Sequence, residues 1–239
     1  MAPKARKRHV QQELVLTRAR DGTRRGGKRD GAGRKPNVPG APGVSHRARP
    51  TLSEKHPVHI TLRVRREVPN LRRNAFLPVL TDALRTGSNK FGFRLCHYVV
   101  MGNHLHLVVE ADDERCLARG LQGLTIRLAK RLNRASRRSG RFFADRYHAH
   151  ILRTPTEVHH ALAYVLLNQR KHAAQLHPSA PPERGLDAFS SGAWFDGWHS
   201  PPPGAARLRD GPAPVVLEPH SWLLREGWRR AGPIAHDAR

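Results

Sequence analysis

Few apolar side chains occur in the first fifty residues; from His56 onward they alternate with polar ones, then recur at spacings of three and four. His59-Ile-Thr-Leu-Arg-Val-Arg65 reads as a strand with Ile60, Leu62 and Val64 inward, because alternate side chains of a strand share a face. Asn70 is placed to cap a helix running to about Thr86, with Leu77, Leu80 and Leu84 on one side and Gly87 as its stop. Pro78 inside that stretch predicts a kink or a shorter helix. Phe91 to Val100 and His104 to Glu110 read as two strands joined by the turn Met101-Gly-Asn103. The loop Ala111-Asp-Asp113 leads to a helix from about Arg115 to Ser136, on which Leu117, Leu121, Leu124, Leu128 and Leu132 form one apolar stripe. Arg146 to Arg153 reads as a fourth strand. Thr154 and Glu157 have the spacing of a capping box, and Pro155 suits a first helical position, so a last helix should run to about His172.

Strand, helix, strand, strand, helix, strand is the order of the ferredoxin-like α+β sandwich, an antiparallel sheet with helices on one face. Here one more helix is appended, and irregular tails flank the whole. The expected organisation is a basic N-terminal tail over residues 1–52, a domain over 53–178 and a Pro- and Trp-rich extension over 179–239. All four tryptophans, Trp194, Trp198, Trp222 and Trp228, fall in that extension. They are expected to anchor it to the domain rather than to stack on unpaired bases. No internal repeat is present.

Charge adds a partner class. With 43 Lys and Arg against 19 Asp and Glu, the net charge is +24, and such a surface attracts polyanions, nucleic acid above all. Fourteen of the basic residues lie in the first 52, around stretches such as Gly26-Gly-Lys-Arg-Asp-Gly-Ala-Gly-Arg-Lys-Pro36 that cannot build a packed element. Arg34 and Lys35 suit either an A/T-rich minor groove or a solvated tail. On the second helix Arg127, Lys130, Arg131 and Arg134, continued by Arg137 and Arg138, lie off the leucine stripe and are candidates for DNA contact. Two cysteines, Cys96 and Cys116, make neither a disulfide framework nor a zinc pattern, which suits a reducing compartment. No run is apolar enough to span a bilayer and the N-terminus lacks an apolar signal core, so the expected setting is cytoplasmic, next to the nucleoid.

Candidate chemistry is concentrated in two places. His104-Leu-His106 aims two imidazoles to one side of a strand while Leu105 and Leu107 turn into a core, a geometry that can hold a metal. With 16 histidines in the chain, roughly one such pair is expected by chance. A second pair, His148-Ala-His150, reads as surface or DNA-contacting histidines. On the last helix Tyr164 and Asn168 lie four apart, on one face with His160 and Lys171. A phenol and an amide presented to a two-histidine centre fit phosphodiester cleavage: the phenol oxygen attacks phosphorus, a metal polarises a phosphate oxygen, and the amide carbonyl completes coordination. A free phenol is only about one part per thousand ionised at neutral pH, so positive charge or a base must assist, with Lys171, His172 and His160 as candidates. Tyr98 and Tyr147 are the rival nucleophiles.

The stretch Tyr98-Val-Val-Met-Gly-Asn-His-Leu-His-Leu-Val-Val-Glu110, followed by Ala163-Tyr-Val-Leu-Leu-Asn168, resembles the tyrosine transposases of the HUH superfamily, in particular the REP-associated group of IS200-like transposases. The resemblance covers about residues 55 to 175. It implies a ferredoxin-like domain that cuts single-stranded or hairpin DNA without ATP, with Tyr164 forming a 5′-phosphotyrosine bond and releasing a 3′-hydroxyl. His104 and His106, with Asn168 as third ligand, would hold magnesium or manganese; imidazole is a poor magnesium ligand, which keeps manganese an equal candidate. Insertion-sequence relatives carry Gln four residues after the tyrosine, and Asn168 is one methylene shorter. The group also implies a monomer rather than a homodimer. The competing expectation is a non-catalytic, domesticated protein that binds hairpin or repeat DNA.

Overall fold

In the computed structural model, residues 51–176, 185–205 and 214–236 are described, the last eight of the first stretch by backbone alone. Residues 1–50 of the expected basic N-terminal tail, with Arg34 and Lys35, lie outside the described residues, whereas Leu52 at its end is buried in the core.

Five strands form one antiparallel sheet in the order β2-β3-β4-β1-β5, with β1 at Val58–Arg63, β2 at Asn89–Lys90, β3 at Phe93–Val100, β4 at His104–Ala111 and β5 at His148–Ile151. Apart from the two-residue β2, this is the βαββαβ sandwich that the periodicity predicts. Helix α1, Leu77–Gly87, and helix α2, Glu114–Ala135, pack on one face. There Ile60, Leu62, Leu95, Leu105, Leu107 and Val109 meet Leu80, Leu84, Leu121, Leu124 and Leu128 in a fully buried layer.

Three local details differ from the expected boundaries. Asn70 does not cap α1; its side chain accepts the Arg72 amide in a turn, and the helix begins at Leu77 after a short 3₁₀ turn, Asn74–Phe76. Pro78 therefore sits in the first turn, where a missing amide hydrogen costs nothing. Gly87 is the last residue of α1 rather than a left-handed stop, and its lack of a side chain serves close packing: a β-carbon there would sit 2.7 Å from Leu124 Cδ1. At the start of α2, Asp113 is the cap, accepting the Cys116 amide at 2.6 Å.

Helix α3, Pro155–Leu176, covers the opposite face. Its start follows the predicted capping box: the Glu157 amide donates to Thr154 Oγ1 at 3.2 Å and the Thr154 amide to Glu157 Oε2 at 3.1 Å. Val158, Ala161, Leu162, Val165 and Leu166 meet Cys96, Val99 and Val108 of the sheet. The C-terminal extension completes this second core with Phe195, Leu223, Leu224 and Trp228; Leu223 and Leu224 belong to a short helix α4, Trp222–Arg225.

The extension also pairs with the outer edge of β3. The Val100 amide donates to Phe189 O, the Ser191 amide to Tyr98 O and the Leu217 amide to Leu95 O, at 2.8–2.9 Å. Arg72 fastens this edge by a two-bond ion pair with Asp187, at 2.8 and 2.9 Å. Glu110, buried at the end of β4, accepts the His220 and Ser221 amides. Of the four tryptophans, Trp228 is buried, Trp194 and Trp198 pack against the two cores, and Trp222 stays 47 % exposed beneath Arg230.

Candidate active site

The site lies on the α3 face of the sheet. Strand alternation puts Leu105, Leu107 and Val109 of β4 into the first core, so His104 and His106 must project from the other side. Their ring centroids are 4.8 Å apart, edge to face. β1 pairs Thr61 with His106 and Arg63 with His104, which brings His59 and Thr61 onto the same surface.

Tyr164 reaches this cluster from α3. Its hydroxyl is 3.5 Å from His106 Nε2, and its ring stands edge-on to His106 and to His59 at centroid distances of 5.0 and 5.8 Å. The residue is 39 % exposed, so a substrate can approach the phenol oxygen. The short connection from β5 turns the chain back, and α3 therefore runs antiparallel to β4. Asn168 lies one turn, about 6 Å, beyond Tyr164, and His104 lies two residues, about 7 Å, from His106 in the same direction.

Asn168, grouped by spacing with His160, Tyr164 and Lys171 on one helix face, is buried, whereas His160 is exposed. Asn168 continues the buried row of Ala161 and Val165, is only 1 % exposed, and its amide nitrogen has no hydrogen-bond partner. Such an unpaired polar group costs about 1–3 kcal/mol. The side chains of Lys171 and His172 lie outside the described residues.

The imidazole nitrogens are individually engaged. His104 Nδ1 is 2.6 Å from Asn103 Oδ1; His106 Nδ1 is 3.1 Å from His59 Nε2 and 3.2 Å from Thr61 Oγ1. Burial, reinforced by His150 and His148, lowers the His59 pKa to about 4, so this ring is neutral near pH 7. Sequence reasoning passed over His59, although its parity opposite Ile60 was available; only the β1–β4 register shows that it stands beside His106. Among the described residues no three His, Cys, Asp or Glu side chains converge on a metal position. Two imidazoles and an amide oxygen, with water in the remaining positions, nonetheless suit a divalent cation of intermediate hardness.

The rival tyrosines are placed elsewhere. A β-bulge at Cys96–His97 resets the alternation of β3, so Tyr98 pairs with Leu107 and is buried in the first core, where loss of solvent pushes its phenol pKa up. Tyr147 is half-buried against that core as well. His148 and His150 are exposed on β5, opposite Thr61 and His59.

The basic row of α2 is not brought to the site, because α2 covers the other face of the sheet. Lys130 and Arg134 are exposed and Arg127 half-exposed along one groove with Ile126; Arg131 also lines it and forms an ion pair with Asp82 of α1. Arg137 and Arg138 follow the helix end, Arg137 with a positive φ of 51° and Arg138 bonded to Asn133. Among the described residues no helix is long and apolar enough to cross a membrane.

Among solved structures, the chain is similar to the REP-associated tyrosine transposase bound to a REP hairpin, at 18 % identity, covering 54 % of this chain and 74 % of that one with a TM-score of 0.43. It is also similar to a candidate transposase from Deinococcus radiodurans R1, at 19 % identity, 39 % and 76 % coverage and a TM-score of 0.34. Likenesses this distant carry no argument about activity. No curated protein matches. The sequence model of the IS200-like transposases matches residues 53–166, a span that includes His104, His106 and Tyr164 and ends two residues before Asn168. Over that span the chain is similar to the IS200-like transposases.

Proposed function

We propose that this domain cuts and rejoins single-stranded DNA, hairpin-flanked in keeping with its resemblance to the REP-associated group, with Tyr164 as nucleophile and His104, His106 and Asn168 as ligands of a divalent metal, manganese or magnesium. The observation that carries the reading is the Tyr164 hydroxyl, 3.5 Å from a histidine of the His-x-His pair and open to solvent. When bound, the cation supplies positive charge to a non-bridging phosphate oxygen. The Nδ1 hydrogen bonds of His104 and His106 leave the ligand role to Nε2 of each ring.

The phenol loses its proton and its oxygen attacks phosphorus. A phosphorus–oxygen bond to Tyr164 forms as the bond to the 3′ oxygen breaks, and that oxygen departs as a hydroxyl on taking up a proton. The strand is left joined through its 5′ phosphate to Tyr164, and attack by another 3′-hydroxyl reverses the exchange without loss of bond energy. Lys130, Arg134 and Arg127 serve as a phosphate-binding row on the other face of the sheet. Each phosphate contact removed there should lower the salt slope of binding by about 0.7–0.9, so Lys130→Ala and Arg134→Ala should flatten a plot of log affinity against log salt. The extension occupies the outer edge of β3 and the apolar side of α3, which favours a monomer.

The deciding experiment incubates the full chain with labelled single-stranded hairpin DNA and manganese and seeks an adduct that survives denaturation. The wild-type chain should form it and Tyr164→Phe should not. An adduct that persists in Tyr164→Phe sinks the nucleophile assignment. DNA binding with no adduct on any single-stranded substrate would instead make this a non-catalytic DNA-binding protein.

A further inference from the structure

The ring of His106 is held from behind by two groups of β1, His59 Nε2 at 3.1 Å and Thr61 Oγ1 at 3.2 Å from its Nδ1. Two ring nitrogens that face each other at this distance need one hydrogen between them, so one donates and the other accepts. If His59 donates, the His106 proton moves to Nε2, the nitrogen turned to Tyr164, and no lone pair is left there. If His106 donates from Nδ1, its Nε2 lone pair is presented beside the Tyr164 hydroxyl. Only the second tautomer can ligate a cation through Nε2.

We infer that His59, together with Thr61, is a positioning pair that fixes His106 as the Nδ1–H tautomer and so aims its Nε2 lone pair at the metal and the nucleophile. The inference rests on the reading of His106 as a metal ligand. His59 is not itself a ligand, since its Nε2 faces His106 and the two rings lie stacked with centroids 5.2 Å apart. The pair also shapes the seat of the phenol, because the Tyr164 ring stands edge-on to both imidazoles. Asn103 plays the corresponding part for His104, whose Nδ1 it holds at 2.6 Å. Thr61 can accept from Nδ1 alone, so removing His59 by itself should have a partial effect.

The test uses the full chain and manganese alone as probe, with affinity read from the loss of the free-manganese paramagnetic signal, and ¹⁵N resonances of His106 read in metal-free protein. His59→Ala combined with Thr61→Val should weaken manganese binding about 10- to 100-fold and convert His106 from a single Nδ1–H tautomer to a mixture. His59→Gln, which keeps an acceptor, should stay within about threefold of wild type. Should the double variant fail to fold, Thr61→Val and His59→Gln singly still report the tautomer. Unchanged manganese affinity and an unchanged His106 tautomer in folded variants would overturn the inference. A wild-type chain that binds no manganese would overturn the metal reading instead, and the metal-free tautomer would still decide whether β1 sets the ring.

Discussion

The two faces of this sheet are built for different ends. The face under α1 and α2 is a layer of aliphatic and phenylalanine side chains into which the Tyr98 hydroxyl intrudes. The face under α3 holds aliphatic residues too, yet set among them are His59, His97, His104, His106, Glu110 and Asn168. Hydrophobic burial stabilises both, at roughly 25 cal/mol per Å², but the second carries many more of the polar groups that packing alone would exclude. A sheet with one face given wholly to stability can carry a costly site on the other.

Substitutions on the two faces should therefore have opposite signatures. Leu107→Ala, on the closed face, should lose about 2–5 kcal/mol in urea unfolding, while adduct formation per folded molecule stays at the wild-type level. Equal losses of stability and of per-molecule activity would erase the distinction. Acid separates the faces next. Burial lowers the His97 pKa to about 4, Asp196 opposing weakly. Below its ordinary value of 6.5 the unfolded chain takes up a proton that the native chain refuses. Stability should fall between pH 6.5 and 4, by up to about 3 kcal/mol from this ring, and level off below. His59 adds a second slope of the same sign, so His97→Gln should flatten the curve without abolishing it. The smallest effect is expected at Asn168. Replacing its buried, unpaired amide by leucine should raise the stability of the metal-free chain by about 1 kcal/mol, yet weaken manganese binding. A variant that is both less stable and unaltered in metal binding would make Asn168 an ordinary core residue.

Much of the fold was legible because its rules are local. The capping box at Thr154 and Glu157, the leucine spacing of α2 and the alternation of β1 and β4 each depend on residues within one or two turns or strand steps. Errors arose where a distant partner decides. Gly87 is explained by Leu124 of α2, not by its own backbone; the Asn70 error is by contrast a local one, its side chain accepting the Arg72 amide in a turn ahead of α1. The pairing of the extension with β3 had no signature at all, since irregular segments carry no period. Within the site, Tyr164 and the His104–His106 pair were readable from spacing, whereas the burial of Asn168 was not and His59 was missed.

Residue spacing along the chain was enough to establish which side chains share a strand or helix face, because backbone geometry alone sets periods of two and of 3.6. It thereby put two imidazoles together on β4, and a phenol and an amide four residues apart on α3. That the phenol meets the imidazoles, that β1 supplies the groups behind His106, and that the basic row of α2 faces away from them were settled only by sheet order, strand register and the face on which each helix lands. Those depend on long-range burial, to which no stretch of sequence refers.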